Sequence, residues 1–438
     1  MRIKNFLRKS VIIGALGAMP FLNNCGCERD GVVKNEMDST DVDDTTSVVS
    51  SKANDWVISN VDFFNDKTHR WIDYAPTNFN PEILKFPSEE SVRTDLQRLY
   101  SSNFDAIVTY GSDNILGEVP RIAKSVGIQH VVMGVWDLDS AEEWDNAIKA
   151  KDFVDGYCVG NEGLVNQRYT LDKLKQKMLA LRTATGKPVT TTEEIGRYTG
   201  DLMKLGDWLF PNCHPYWHNI TSPEEAAQWT HQQYHAILGK SDRVVLLKEI
   251  GLPSGGQTEL NENVQNTYYR RIEDLMDSEN KEAYIYFEAF DQPWKDYADV
   301  EPNWGLFKSD RSEKEVVKPQ LLFTYVPPYG SFNSLQGRVV NVKPVDYRIS
   351  AHIQVNGAWW VKPYWAWPLT SILSNSNWIT DITTGGIDQN ATRVNAYLVT
   401  PNYSPSTNGT LPKVDGVNVI TFATAEKKIT PTAIGEGY

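Results

Sequence analysis

Between residue 56 and about residue 325 the chain alternates eight apolar, strand-like runs with helical segments, and few folds accept that alternation. The runs are 70–75, 106–110, 130–136, 154–159, 189–192, 208–214, 244–248 and 283–287. Helical periodicity separates them. Segment 88–101 offers Ser88 and Ser91 as N-caps, and in segment 171–183 Leu171, Leu174, Met178 and Leu181 share one face. Eight strands alternating with helices over roughly 270 residues predict a (β/α)8 TIM barrel. A doubly wound open sheet would want a Gly-rich phosphate turn after its first strand. Here that strand runs into Tyr74-Ala-Pro-Thr-Asn-Phe-Asn instead.

Beyond Pro327-Pro328 the helical period disappears. Short β-type runs at 337–342, 348–355, 359–367, 393–400 and 417–423 are split by Asn-Gly, Gly-Gly and Pro turns, which predicts a small β-sandwich. Upstream of the barrel, Arg2, Lys4, Arg8 and Lys9 precede an apolar stretch at 11–22 that is too short to span a bilayer as a mature helix. Cys25 follows it, as in a bacterial lipoprotein signal, although that signal has small residues where this chain has Asn23 and Asn24. Cys27 is the poorer alternative, because Asn24 occupies its apolar position. The expected organisation is a signal peptide at 1–27, an acidic tether at 28–55, a barrel at 56–326 and a β-sandwich accessory domain at 327–438. Cys25 is the expected lipidation site. The mature chain is then exported to a periplasm or cell surface and held to a membrane by its lipid.

Composition narrows the partners. A net charge of -13 argues against nucleic acid, which needs clustered Lys and Arg. Fourteen Trp and 20 Tyr supply flat, partly polar rings that suit sugar faces, though a large core uses such rings too. Cys158 and Cys213 sit in apolar runs and read as buried free thiols. Among the Cys and His no metal-ligand spacing appears, and no cofactor is expected.

Two strand ends carry carboxylates in the same setting. Val244-Val-Leu-Leu-Lys-Glu249 runs into a Gly-Leu-Pro-Ser turn, and Tyr157-Cys-Val-Gly-Asn161-Glu162 runs into Gly163. Active sites of such barrels lie at the C-terminal strand ends, so Glu162 on the fourth strand and Glu249 on the seventh face one mouth. Two carboxylates there are what retaining glycoside hydrolysis needs, one as acid/base and one as nucleophile. Tyr216 is expected to donate to the ionised carboxylate, and Asn161 to hold a sugar hydroxyl. Glu193, Glu194 and Glu288 compete for the pair from chemistry alone, while Asp137 and Asp139 read as loop acids.

Four motifs then become recognisable in order: Val159-Gly-Asn-Glu162, Pro211-Asn-Cys-His-Pro-Tyr216, Lys248-Glu249-Ile-Gly-Leu-Pro-Ser254, and Tyr286-Phe-Glu-Ala-Phe-Asp-Gln-Pro-Trp-Lys295 with Glu301-Pro-Asn-Trp-Gly-Leu-Phe307. Together they resemble glycoside hydrolase family 17, the retaining β-1,3-glucanases, over residues 68–323. The resemblance implies Glu162 as acid/base, Glu249 as nucleophile, and Asn161, Tyr216, Tyr74, Gln292, Lys295 and Glu301 as substrate-binding groups. It also implies a β-glucan poly- or oligosaccharide substrate. The family usually has a Glu where this chain has Gln292, which bears on fine specificity, and an aromatic ring where it has Leu252. A β-1,3-glucan transglycosylase would use the same residues, and a non-catalytic glycan-binding surface lipoprotein is the reading from another class. The run Ala358-Trp-Trp-Val-Lys-Pro-Tyr-Trp-Ala-Trp367 fits either domain packing or a sugar platform.

Overall fold

A computed structural model describes residues 56–428 apart from 57, 65–68 and 278–283. The signal segment, Cys25 and the acidic tether lie outside the described residues.

Eight parallel strands form one sheet: β1 (Trp71–Asp73), β2 (Ala106–Val108), β3 (His130–Val135), β4 (Gly156–Asn161), β5 (Val189–Thr192), β6 (Asn212–Cys213), β7 (Leu247–Ile250) and β8 (Tyr284–Tyr286). Their order, β5-β4-β3-β2-β1-β8-β7-β6, leaves β5 and β6 at the two ends. A parallel bridge between Glu194 and Asn212 joins those ends and closes the barrel. Among the described residues six α-helices surround it: α1 (Glu89–Ser101), α2 (Val119–Val126), α3 (Ala141–Lys149), α4 (Leu171–Thr185), α5 (Pro223–Leu238) and α6 (Glu262–Asp277). Capping sets their starts. The Ser88 side chain accepts from the Ser91 amide, and Thr170 does the same for Lys173. The predicted apolar face of α4 holds, with Leu174, Met178 and Leu181 buried.

Alternation along the strands sorts side chains into two cores. Ile72, Ile107, Val131, Tyr157, Leu209 and Leu247 pack outward beneath the helices. Trp71, Val108, Val132, Cys158, Phe210, Leu246 and Ile285 point inward and plug the barrel's lower half. Two residues further along, the inward rows turn polar. Trp71 gives way to Asp73, and Leu246 to Lys248, both fully enclosed. The inward floor of the mouth is therefore charged.

The C-terminal part is built from two antiparallel sheets. One is three-stranded, ordered β14-β10-β9, with β9 (Gln320–Tyr325), β10 (Leu335–Val340) and β14 (Asn377–Thr380). The other is five-stranded, with β12 (Ala358–Lys362), β11 (Arg348–Val355), β15 (Arg393–Val399) and β16 (Val419–Glu426) in that order, and β13 (Thr370–Ser371) on β11. Leu335, Val339 and Trp378 of the first share one core with Ile349, Ile353, Val394 and Leu398 of the second. Two sequence expectations shift here. β9 lies before Pro327-Pro328 yet pairs with β10, so the change of architecture falls ahead of Gln320. The aromatic run leaves its strand at Lys362, well short of residue 367.

The two parts touch through Arg338 with Asp274 at 2.9 Å, Lys343 over the Tyr100 ring at 2.9 Å, and Asn341 Nδ2 on the Val316 and Lys318 carbonyls. Tyr100 and Asp274 lie near the C-terminal ends of α1 and α6. In a barrel that is the end opposite the catalytic mouth.

Candidate active site

Strand β7 delivers Glu249 to the mouth in register with Asn212 of β6. The Asn212 side chain in turn donates to Glu162 Oε1 at 2.9 Å, so one asparagine ties the two glutamates together. Glu162 follows the last residue of β4, with its amide on the Thr192 carbonyl at 2.9 Å and φ of 52°, a left-handed backbone that aims it across the opening. Gly163 follows because a side chain cannot. A Cβ there would lie 2.0 Å from the Tyr169 ring.

The environments of the pair differ sharply. Glu249 is 5% exposed, and that burial opposes its charge, but the Lys248 ammonium contacts one carboxylate oxygen and His214 Nε2 lies 3.1 Å from the other. The cation and the imidazole prevail and hold Glu249 well below the usual carboxylate range. Glu162 has no such partner among the described residues. Desolvation and the neighbouring charge of Glu249 push its pKa up, against the pull of Asn212. One carboxyl thus favours its anion and the other its proton, the division of labour that acid/base and nucleophile require.

Lys248 organises more than its neighbour. Its Nζ lies 3.3 Å from Asn161 Oδ1, 3.5 Å from Asp73 Oδ1 and 4.2 Å from the centre of the Tyr110 ring. Burial drives the Asp73 carboxyl upward and Lys248 draws it back. Neither Lys248 nor His214 was picked out from the sequence, although both stand inside quoted motifs. An inward-facing lysine between apolar strand residues was the available signal.

The other candidates are spread over two places. Lys295 meets Glu288 Oε1 at 2.7 Å, and Glu301 accepts the Tyr297 hydroxyl at 2.9 Å. Burial opposes the Lys295 charge, but Glu288 and Glu301, with a smaller part from Glu249, outweigh it and raise its pKa. Burial pushes Glu288 up to about 7, against Lys295. Gln292 is enclosed, spanning from the Ala75 carbonyl at 3.1 Å to Trp294 Nε1 at 2.9 Å.

Tyr216 and Tyr74 depart from expectation. The Tyr216 hydroxyl accepts from Gln257 at 2.6 Å, on the rim, and the bond it was expected to give Glu249 comes from His214. The Tyr74 hydroxyl donates outward to Asp95 of α1 at 3.0 Å, away from the mouth, in a structural cluster with Thr77 and Arg311. Asn161 lends its oxygen to Lys248, leaving its amide nitrogen for a ligand.

The rival carboxylates have other work. Glu193 accepts the Leu164 and Val165 amides at 2.8 and 3.3 Å and so fastens the turn after Glu162. Glu194 caps a short helical turn through the Gly196 amide at 2.9 Å. Asp137 bonds the Asp139 amide at 2.9 Å and Asp139 pairs with Lys173 at 2.6 Å, as loop acids do.

Residues 72–305 match the family model described as the BtgE/BtgC glycoside hydrolase domain. The chain belongs to this family. This BtgE/BtgC-type barrel is 26% identical over 296 residues to the "Probable glucan endo-1,3-beta-glucosidase btgC" of Aspergillus flavus, covering 56% of this chain and 43% of that protein. It is 28% identical over 261 residues to the "Probable family 17 glucosidase SCW10" of Saccharomyces cerevisiae, covering 55% and 64%. The chain thus spans under half of the Aspergillus protein's length. The glycoside hydrolase family 17 β-1,3-glucanosyltransferase of Rhizomucor miehei superposes with a TM-score of 0.49 at 24% identity, over 57% of this chain and 96% of that one. The family-17 resemblance carried by the four motifs is borne out by the family match.

Proposed function

We propose that the BtgE/BtgC-type barrel is a retaining glycosidase acting on β-1,3-glucan, with Glu249 as nucleophile and Glu162 as acid/base. The observation that carries this reading is the opposed setting of the pair. Lys248 and His214 pull the Glu249 carboxyl down, whereas burial and the charge of Glu249 push Glu162, which accepts from Asn212, up. Glu249 attacks the anomeric carbon as Glu162 gives its proton to the leaving oxygen. Glu162, now a base, then takes a proton from the acceptor that releases the sugar. Water as acceptor makes the enzyme a hydrolase; a second glucan makes it a transglycosylase. The substrate class is taken from the names of the btgC and family 17 relatives. Lys295 and Glu301 would meet the sugar beside the pair, with the enclosed Glu288 holding Lys295 in place.

The test is turnover of laminari-oligosaccharides followed by product sizing and by NMR of the first anomer released. Retained β-configuration is expected, and turnover falls on the order of a thousandfold or more in Glu249→Gln. An inverted product, or undiminished turnover by the variant, overturns the assignment. Products longer than the substrate identify transfer.

Export with lipid attachment at Cys25 rests on the N-terminal sequence alone. Metabolic labelling with palmitate in a bacterial host should mark the wild type and miss Cys25→Ser.

A further inference from the structure

The aromatic run of the sandwich lies on its surface. Trp360, Tyr364, Trp365 and Trp367 are 42%, 50%, 52% and 74% exposed. Trp360 and Trp365 stand 6.2 Å apart between ring centres at an interplanar angle of 53°, and Tyr364 and Trp367 stand 6.4 Å apart at 88°. The turn that presents them is pinned from below. Lys362, only 7% exposed, pairs with Asp388, Thr384 Oγ1 bonds the Pro363 carbonyl, and the Gly385 amide donates to Asp388 at 2.8 Å. Among the described residues none of the three indole N–H groups, nor the Tyr364 hydroxyl, has a hydrogen-bond partner. By contrast Trp56, Trp144 and Trp294 each donate to an oxygen.

We propose that these four rings form a second carbohydrate site that binds a single, curved chain of neutral β-glucan apart from the catalytic mouth. Two exposed ring pairs carried on one short segment cost free energy in water and mark a contact surface. The chemistry of the surface selects its ligand. From residue 358 to 373 the one charged side chain is Lys362, and it is enclosed and paired. Along that segment no free charge awaits a phosphate or an acidic polymer, and a chain of net charge -13 repels anionic surfaces. What remains is flat faces for the C–H side of a sugar and edge donors for its hydroxyls, the amphipathic pairing that Trp and Tyr provide. Because the rings are mutually tilted, they fit a chain that curves and not a flat crystalline face. The sandwich meets the barrel near the C-terminal ends of α1 and α6, so the platform is independent of the mouth. The linkage of the glucan, and nothing else here, rests on the function proposed above.

Affinity electrophoresis in gels containing laminarin tests this on the full chain carrying Glu249→Gln to stop turnover. Retardation is expected, and adding Trp365→Ala with Trp367→Ala should raise the laminarin dissociation constant about tenfold or more. The same tryptophan pair placed in the active enzyme should leave laminaritetraose turnover and the melting temperature unchanged. Retardation indifferent to the two tryptophans overturns the site. So does a tryptophan-dependent binding to phosphatidylcholine vesicles or a tryptophan-dependent dimer in sedimentation, if either occurs without tryptophan-dependent retardation. Tryptophan-dependent retardation by a chain whose active form turns over no laminari-oligosaccharide would sink the catalytic reading and leave this one standing.

Discussion

Burial on its own drives a carboxyl to keep its proton, so the anion at Glu249 has to be secured by its neighbours. Lys248 and His214 do this from two sides, and Asp73 holds Lys248 from beneath. The proposed mechanism needs Glu249 ionised and Glu162 protonated, so under it the acid limb of kcat/KM follows Glu249 and the alkaline limb follows Glu162. Replacing Lys248 by Met removes the cation, Glu249 binds its proton more tightly, and the acid limb should move up by about one to two pH units. A pH profile of laminaritetraose turnover reads this directly; an unmoved acid limb contradicts the role given to Lys248. Breaking the buried charge cluster should also cost about 3 kcal/mol of stability. The double variant with Asp73→Asn should recover much of that stability in denaturant titrations, while the acid limb stays displaced. The reciprocal effect is expected at Glu162. Its pKa is raised partly by the charge of Glu249, so in Glu249→Gln the carboxyl of Glu162 should titrate lower than in the wild type. A carbon-detected NMR titration of the glutamates tests that sign. At this scale the sequence pointed to the two glutamates but to neither Lys248 nor His214, because orientation cannot be read from a motif. His214 and Tyr216 stand two apart in one motif, and only the folded turn decides that the imidazole faces Glu249 and the phenol faces Gln257.

At the scale of elements, the alternation of strand and helix was plain in the sequence because each barrel strand needs an apolar face toward the helices. Less plain were strand ends. The run at 208–214 contributes two continuous strand residues and the run at 244–248 becomes continuous strand from Leu247, with a single parallel bridge between Leu209 and Val245 ahead of them. The outward row was read as hydrophobic pattern, and the inward row, from Leu246 to Lys248, was read as part of the same strand. Its polarity marks the catalytic floor. The turn after β4 illustrates how elements hold the site. Glu193, at the end of β5, grips the Leu164 and Val165 amides two and three residues past Glu162. Glu193→Ala leaves two part-buried amides without their acceptor and should cost about 1 kcal/mol of stability. It should also lower kcat by on the order of tenfold or more with little change in KM, since Glu162 loses its aim and not its chemistry. A loss confined to KM, measured on laminaritetraose, would contradict a positioning role.

For the whole molecule, the sequence pattern changes at Pro327-Pro328 while the architecture changes one strand earlier. The reason is that β9 carries apolar residues on a strand-like run, which looks the same whether its partner is a barrel or a sandwich. Its pairing is non-local and is settled by β10, where Leu321 opposes Val339 and Phe323 opposes Gly337. The aromatic run posed the same problem from the other side. Large rings in a small domain suit a core, yet here the core is filled by Leu335, Trp378, Ile349 and Ile353, and the rings remain outside. The two candidate boundaries behave differently when the barrel is cut free. A fragment ending at residue 326 keeps β9 without its partner. That leaves an unpaired edge and bares Leu321, which is 4% exposed in the full chain. A fragment ending at residue 319 retains the turn at Glu315–Val317, which packs on α6, and sheds the orphan strand. The shorter fragment should therefore run as a monomer on size exclusion and keep laminaritetraose turnover near that of the full chain. The longer one should associate and precipitate on warming, through the free edge of β9. If both fragments behave alike as stable monomers, β9 does not depend on the sandwich. If only the longer one folds, the strand belongs with the barrel after all.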